Sequence, residues 1–158
     1  MTESYLNILE DSLQRKLQVM AKIREYNLRQ EEIFRSDNVE MDKFDEYVEE
    51  KGALIDEVTA LDNGFETLYK KVADELQDGR EKYADQIRRL QELVSRVTEE
   101  SVGIQAQEAR NKKLVEAYFH RQKADIGQNR RNSQAAYDYY KNMNQSNVVA
   151  PQFLDNKQ

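Results

Sequence analysis

From Leu6 onward, apolar side chains return every three or four residues. Steps of seven land on Leu6, Leu13, Met20, Asn27 and Phe34, with Leu9, Leu17 and Ile23 between them. That spacing predicts an amphipathic helix with one face turned to a core. Val19, Tyr26 and Ile33 widen the stripe beyond a two-position seam, so the helix is expected to touch more than one neighbour. It covers roughly 34 residues, about 50 Å at 1.5 Å per residue, before Ser36, Asp37 and Asn38 supply a turn and an N-cap for the next helix.

A second stripe opens near Met41 or Asp42 and runs from Phe44 to Leu76. It stays in phase across Asp62-Asn63-Gly64, so this turn signal predicts a kink or short break and not a reversal. At Asp78-Gly79 the stripe stops and a new one begins at Tyr83, which places the second reversal there, with Gly79 as a left-handed C-cap. The third stripe passes through Ile87, Leu90, Leu93, Val94, Val97 and Ile104, beyond Gly103, and then thins to glutamines, alanines and charges. One more patch follows at Leu114, Val115, Tyr118, Phe119 and Ile126. A continuous helix from Arg80 to Ile126 would be roughly 70 Å long, about 20 Å more than the first helix covers. Its end is expected to overhang, bend back or meet a second copy of the chain as a homodimer.

Beyond Gly127 the sequence is polar enough to stay solvated, apart from two apolar islands. Ala136, Tyr139, Tyr140 and Met143 share a face if helical, and the second island spans Val148 to Leu154 around Pro151. The predicted architecture is all-α: an elongated antiparallel bundle of three long, coiled-coil-like helices over residues 1–126, with a flexible C-terminal extension over 127–158.

Composition agrees. With 5 Gly and 1 Pro in 158 residues, a sheet protein built on many tight turns is excluded. The chain has no Cys and one His, which removes disulfides, thiolate chemistry, structural zinc and any mechanism needing two imidazoles. No enzymatic activity, cofactor or metal is expected. A Glu116-x-x-x-His120 pair has the wrong spacing for the Glu-x-x-His motif of carboxylate-bridged metal bundles, and it occurs once. No run of about 18 apolar residues is present and the N-terminus does not read as a leader, so a cytoplasmic protein without membrane insertion is expected.

Charge divides the chain. Residues 1–104 carry 25 acidic and 15 basic side chains, whereas residues 105–158 carry 5 acidic and 9 basic, so an acidic body is joined to a basic tail. The acidic run from Asp37 to Glu50 lacks the mid-loop Gly of a calcium loop and reads as a solvated helix start. The tail bases are interleaved with glutamine and form no concentrated face, so nucleic acid is not an expected partner. Asn27 and Asn111, polar at stripe positions, read as register-setting or exposed residues. Tyr118, Tyr137, Tyr139 and Tyr140 lie where the sequence offers little core to join. Aromatic rings in polar surroundings are typical contact anchors, the alternative being that the tail folds back and packs them on the bundle.

Three stretches carry a family resemblance: Phe44-Asp45-Glu46-Tyr47-Val48-Glu49-Glu50-Lys51-Gly52-Ala53-Leu54-Ile55-Asp56; Leu90 to Val94 with Ile104-Gln105-Ala106-Gln107-Glu108-Ala109-Arg110-Asn111; and Tyr139 to Asn144 with Pro151-Gln152-Phe153-Leu154-Asp155. Together they resemble the FlgN family of flagellar export chaperones. The resemblance implies a cytoplasmic helical chaperone that holds hook–filament junction proteins and hands them to the flagellar type III export gate. It also implies client binding through the C-terminal region and docking to the gate through a tail tyrosine. Where family members often show Tyr-Gly, this chain has Tyr137-Asp138 and Tyr139-Tyr140. The partner-binding residues expected on both grounds are Leu114, Val115, Tyr118, Phe119, Ile126, Tyr137, Tyr139, Tyr140, Met143, Phe153 and Leu154. The alternative reading is a scaffolding coiled-coil protein with no secretion client.

Overall fold

The computed structural model describes residues 2–122 together with Tyr139. Those residues form three long helices, α1 (Thr2–Arg35), α2 (Met41–Asp78) and α3 (Ala84–Arg121), joined by turns at residues 36–40 and 79–83. Contacts from α1 give the directions. Tyr26 meets Tyr47, Lys16 meets Asp62 and Thr2 meets Glu75, so α2 runs opposite to α1. Glu10 pairs with Arg89, Arg24 with Glu100 and Glu31 with Arg110, so α3 runs parallel to α1. The result is an up-down-up bundle in which α1 packs closely along both partners, while α2 and α3 approach each other far less. None of the described helices is long and apolar enough to cross a membrane.

Each helix keeps a strict alternation of three- and four-residue steps along its inward face. In α1 the buried face runs Leu6, Leu9, Leu13, Lys16, Met20, Ile23, Asn27, Gln30, Phe34. In α3 it runs Leu90, Val94, Val97, Ser101, Ile104, Glu108, Asn111, Val115. These seams interlock as coiled-coil seams do, but polar and charged residues occupy some of their positions. The core is thereby split. A larger apolar cluster runs from Leu6 to Ile23 on α1, Val58 to Leu76 on α2 and Leu90 to Ile104 on α3. A smaller one gathers Phe34, Met41, Phe44, Val48, Val115 and Tyr139 near the α1–α2 turn.

Several local expectations change. Among the described residues α3 has 38 residues, as α2 does, and ends at Arg121, short of the Ile126 expected. The patch after residue 113 is the far end of the core, with Val115 buried and Leu114, Tyr118 and Phe119 packed partly buried around it. Tyr118 sets its ring edge 5.7 Å from Phe34, centroid to centroid. Leu114, Tyr118 and Phe119 keep part of their surface exposed, and Ile126 lies outside the described residues. Near Asn63-Gly64 the helix is uninterrupted, because Asp62 on one side and Phe65 on the other both face inward and hold the helical register. Gly79 has φ −109° and is not left-handed; its N–H donates to the Glu75 carbonyl at 3.0 Å. What Gly79 provides is room, since a Cβ there would stand 3.2 Å from the Tyr83 ring. Ser36 does not cap α2, whose N-cap is Glu40; the Ser36 hydroxyl instead accepts the Asn38 N–H at 3.3 Å inside the turn. Gly103 lies within the continuous helix α3, where Arg24 crosses on its way to Glu100; a Cβ would come within 2.8 Å of the guanidinium.

The acidic start of α2 is solvated except at Asp45. One of its carboxylate oxygens is buried with no partner among the described residues. Burial, reinforced by Asp42 and Glu49, raises its pKa to about 6. A raised carboxyl pKa makes the folded state less stable as pH rises through 6, because the charge must then be held in a poorer environment than in the unfolded chain. Asp45→Asn is therefore expected to add about 1 kcal/mol at pH 7 to 8, discounted for the side chain's partial exposure. The gain should vanish below about pH 4, and urea denaturation across that range checks it. Gly64, with nothing within 4 Å of an added Cβ, sits inside α2. Gly64→Ala should stabilise the fold by about 0.5–1 kcal/mol in the same assay; a loss would mean that the helix is broken there after all.

Candidate functional site

Between the two apolar clusters lies a layer of buried polar side chains, one or more from each helix. The seam of α1 supplies Asn27 and Gln30, that of α2 supplies Lys51, and α3 supplies Gln107, Glu108 and Asn111. Lys51 is at its centre with no exposed surface. Its ammonium donates to Asn27 Oδ1 and to Glu108 Oε1, each at 2.6 Å. The Tyr139 ring covers it, with Nζ 4.2 Å from the centroid, so the electron-rich face of the ring meets the charge. The Tyr139 hydroxyl donates to the same Glu108 oxygen at 2.7 Å. Tyr139 is itself helical and only 8% exposed.

A second tier holds Asn27 in place. Its Nδ2 donates to Gln107 Oε1 at 3.2 Å, and Asn111 donates to its backbone carbonyl at 2.9 Å. The carboxamide of Gln30 and Glu108 Oε2 are buried without a partner among the described residues. Burial strips water from the Lys51 ammonium and lowers its pKa to about 8, against the pull of Glu108 in the other direction. An ammonium in a core is tolerated only when its N–H groups and its charge are met, and here Asn27, Glu108 and Tyr139 meet them.

A related pair lies deeper in the larger cluster. Lys16, 1% exposed, reaches Asp62 Oδ1 at 2.6 Å. Desolvation raises the Asp62 pKa, and the Lys16 hydrogen bond and charge oppose that rise. The chain thus uses matched polar seam positions twice.

Of the expected partner-binding residues, the structure brings Val115 and Tyr139 into the smaller cluster, with Leu114, Tyr118 and Phe119 against it. Tyr139 is not a ring presented outward: it is inserted into the bundle of its own chain, which at this residue agrees with the alternative that tail rings pack on the bundle. Tyr137, Tyr140, Met143, Phe153 and Leu154, like Ile126, lie outside the described residues. Asn27 and Asn111 are buried and bonded, in keeping with a register-setting role and not with exposure. Lys16, Gln30, Lys51, Gln107 and Glu108 were not visible to a search for apolar periodicity. Counting the seam positions strictly finds four of them, since Lys16, Gln30, Lys51 and Glu108 fall on three- and four-residue steps from Leu13, Asn27, Val48 and Ile104.

Among the described residues no group of three His, Asp or Glu converges as metal ligands would. A cleft of about 430 Å³ beside the α1–α2 turn is lined by Arg29, Glu32, Glu40, Lys43 and Tyr47, among others, and opens widely to solvent. Its charges are of both signs and do not converge on a point.

Breaking the central pair should be far worse than removing it. Lys51→Met leaves the Glu108 carboxylate buried without its cation and is expected to cost about 3–5 kcal/mol, whereas the double variant Lys51→Met, Glu108→Leu should regain most of that loss. Denaturant unfolding of the single and double variants measures the difference; additive losses would mean that the two groups do not depend on each other. No protein-family model, curated protein or solved structure matches this chain, so the site stands on its own geometry.

Proposed function

We propose that the chain is a helical export chaperone of the FlgN kind, which holds hook–filament junction proteins in the cytoplasm and passes them to the type III export gate of the flagellum. The observation that carries this reading is the seat of Tyr139. A side chain far along the sequence is received between α2 and α3 by a polar pair and an apolar rim, which is how one helix recognises another. The same stretches that resemble the family, around Lys51 and around Glu108, supply the two charges of this seat.

The distribution of apolar surface favours this reading over a scaffold. The three seams are consumed within the chain, and the large exposed hydrophobics among the described residues, Ile8, Leu28 and Val102, do not follow seam spacing. A coiled-coil scaffold would need a further apolar stripe to join the next copy. Acidic body and basic tail also suit a protein partner better than nucleic acid. No nucleotide motif is present, so release of a client draws on binding free energy alone.

Calorimetry of the full chain against purified hook–filament junction proteins, and against the cytoplasmic part of the export gate, tests the proposal. A saturable complex with a dissociation constant near the micromolar range is expected, about −8 kcal/mol. Replacing Tyr137, Tyr140, Met143 and Phe153 by alanine should weaken binding at least tenfold, since anchoring aromatics contribute about 2 kcal/mol each. Failure of every junction protein to bind would overturn the flagellar reading.

A further inference from the structure

The furrow between α2 and α3 differs from the other two interfaces of the bundle. Along α1 the helices pack closely on both sides, but α2 and α3 stand further apart, and near the smaller cluster their gap is spanned by Lys51 reaching to Glu108. Tyr139 closes the gap from outside, with its ring over the ammonium, its hydroxyl on the carboxylate and its edge among the apolar side chains of the smaller cluster. Three separate chemistries thus select one kind of side chain. Phenylalanine would leave Glu108 with one donor fewer, and an aliphatic residue would offer the ammonium no ring.

The two sequence stretches are opposite in charge on balance: Asp42, Asp45, Glu46 and Glu49 lie on the α2 stretch that carries Phe44, Val48 and Lys51, while Arg130, Arg131 and Lys141 outnumber Asp138 around Tyr139. The spacing of Ala136, Tyr139 and Met143 in the sequence is that of one face of a helix, were the stretch helical throughout. A position that only ever served as core would be filled more stably by an apolar residue over an apolar pair. A seat that must release its occupant gains from charges that water can take over.

We infer that the furrow between α2 and α3, centred on Lys51 and Glu108, is a receptor for a tyrosine-bearing segment, and that Tyr139 of this chain is its exchangeable occupant in the free protein. A tail tyrosine held here is withheld from outside partners until it leaves. That consequence rests on the chaperone reading above; the receptor itself does not.

The test needs no client. A fluorescent peptide of residues 130–146 is titrated, by anisotropy, into the full-length chain and into the full-length Tyr139→Ala variant. The peptide should bind the variant at least tenfold more tightly, because the wild-type seat is already filled. A peptide with Tyr139→Phe should bind the variant about tenfold less tightly than the native peptide, having lost a hydrogen bond to a charged acceptor. Full-length Tyr139→Phe, which keeps the ring in place, serves as second host should the alanine variant unfold; it too should bind the native peptide more tightly than wild type does. Equal binding to wild type and the folded variants, or no binding to any, overturns the inference. Failure of every junction protein to bind the chain leaves this result unaffected.

Discussion

One ammonium group determines how this bundle is put together. Lys51 points into a core, where an isolated charge is destabilised by several kcal/mol even after relaxation, and it stays there because one acceptor arrives from α1 and another from α3. Asn27 and Glu108 can both reach Nζ in a single register of the three helices. A slip by one seam position would bring Ile23 or Gln30 of α1, or Ile104 or Asn111 of α3, to the charge, and none of these offers a carboxylate, so the pair fixes the register of both interfaces at once. The fall of its pKa to about 8 indicates that the partners offset burial only in part. The layer therefore contributes specificity more than stability, as a polar seam residue does in simpler coiled coils.

Lys16 and Asp62 repeat the device in the larger cluster. Two polar contacts spaced along one antiparallel interface are much stricter than one, because a shift that satisfied the first would break the second. Surface pairs such as Glu10 with Arg89 and Glu31 with Arg110 follow the register so fixed and add little of their own, being screened by solvent.

The helices themselves were legible in the sequence because apolar residues at three- and four-residue steps have one cheap explanation. Their number, order and ends near Arg35, Met41 and Asp78 follow from that pattern and from the two turns. The site was not legible in the same way. A lysine at a seam position looks like an exposed residue until its carboxylate is known, and Glu108 stands 57 positions away from Lys51. The polar stretch after Ile104 reads as the end of the core for the same reason. It is the middle: beyond it Val115 and its neighbours meet Phe34 and Phe44, so the patch expected to overhang is packed within the bundle. Tyr139 could be placed only by contacts, since its sequence neighbourhood offers no stripe long enough to dictate a packing face.

Dividing the core has a consequence for motion. The larger cluster ties all three helices together over most of their length, whereas the smaller one contains few side chains and depends on Tyr139 for part of its cover. Opening there exposes limited apolar surface and leaves the Leu6 to Ile104 core undisturbed, so it belongs to the low-cost end of the fluctuations a folded protein makes. When Tyr139 leaves, water gains the ammonium and the carboxylate that its ring and hydroxyl had covered, and their hydration offsets part of the lost contact. An apolar seat would hold its occupant with no such compensation. The charges at Lys51 and Glu108 thus fix the register of the bundle and, at the same point, lower the cost of parting from Tyr139 by what their hydration returns.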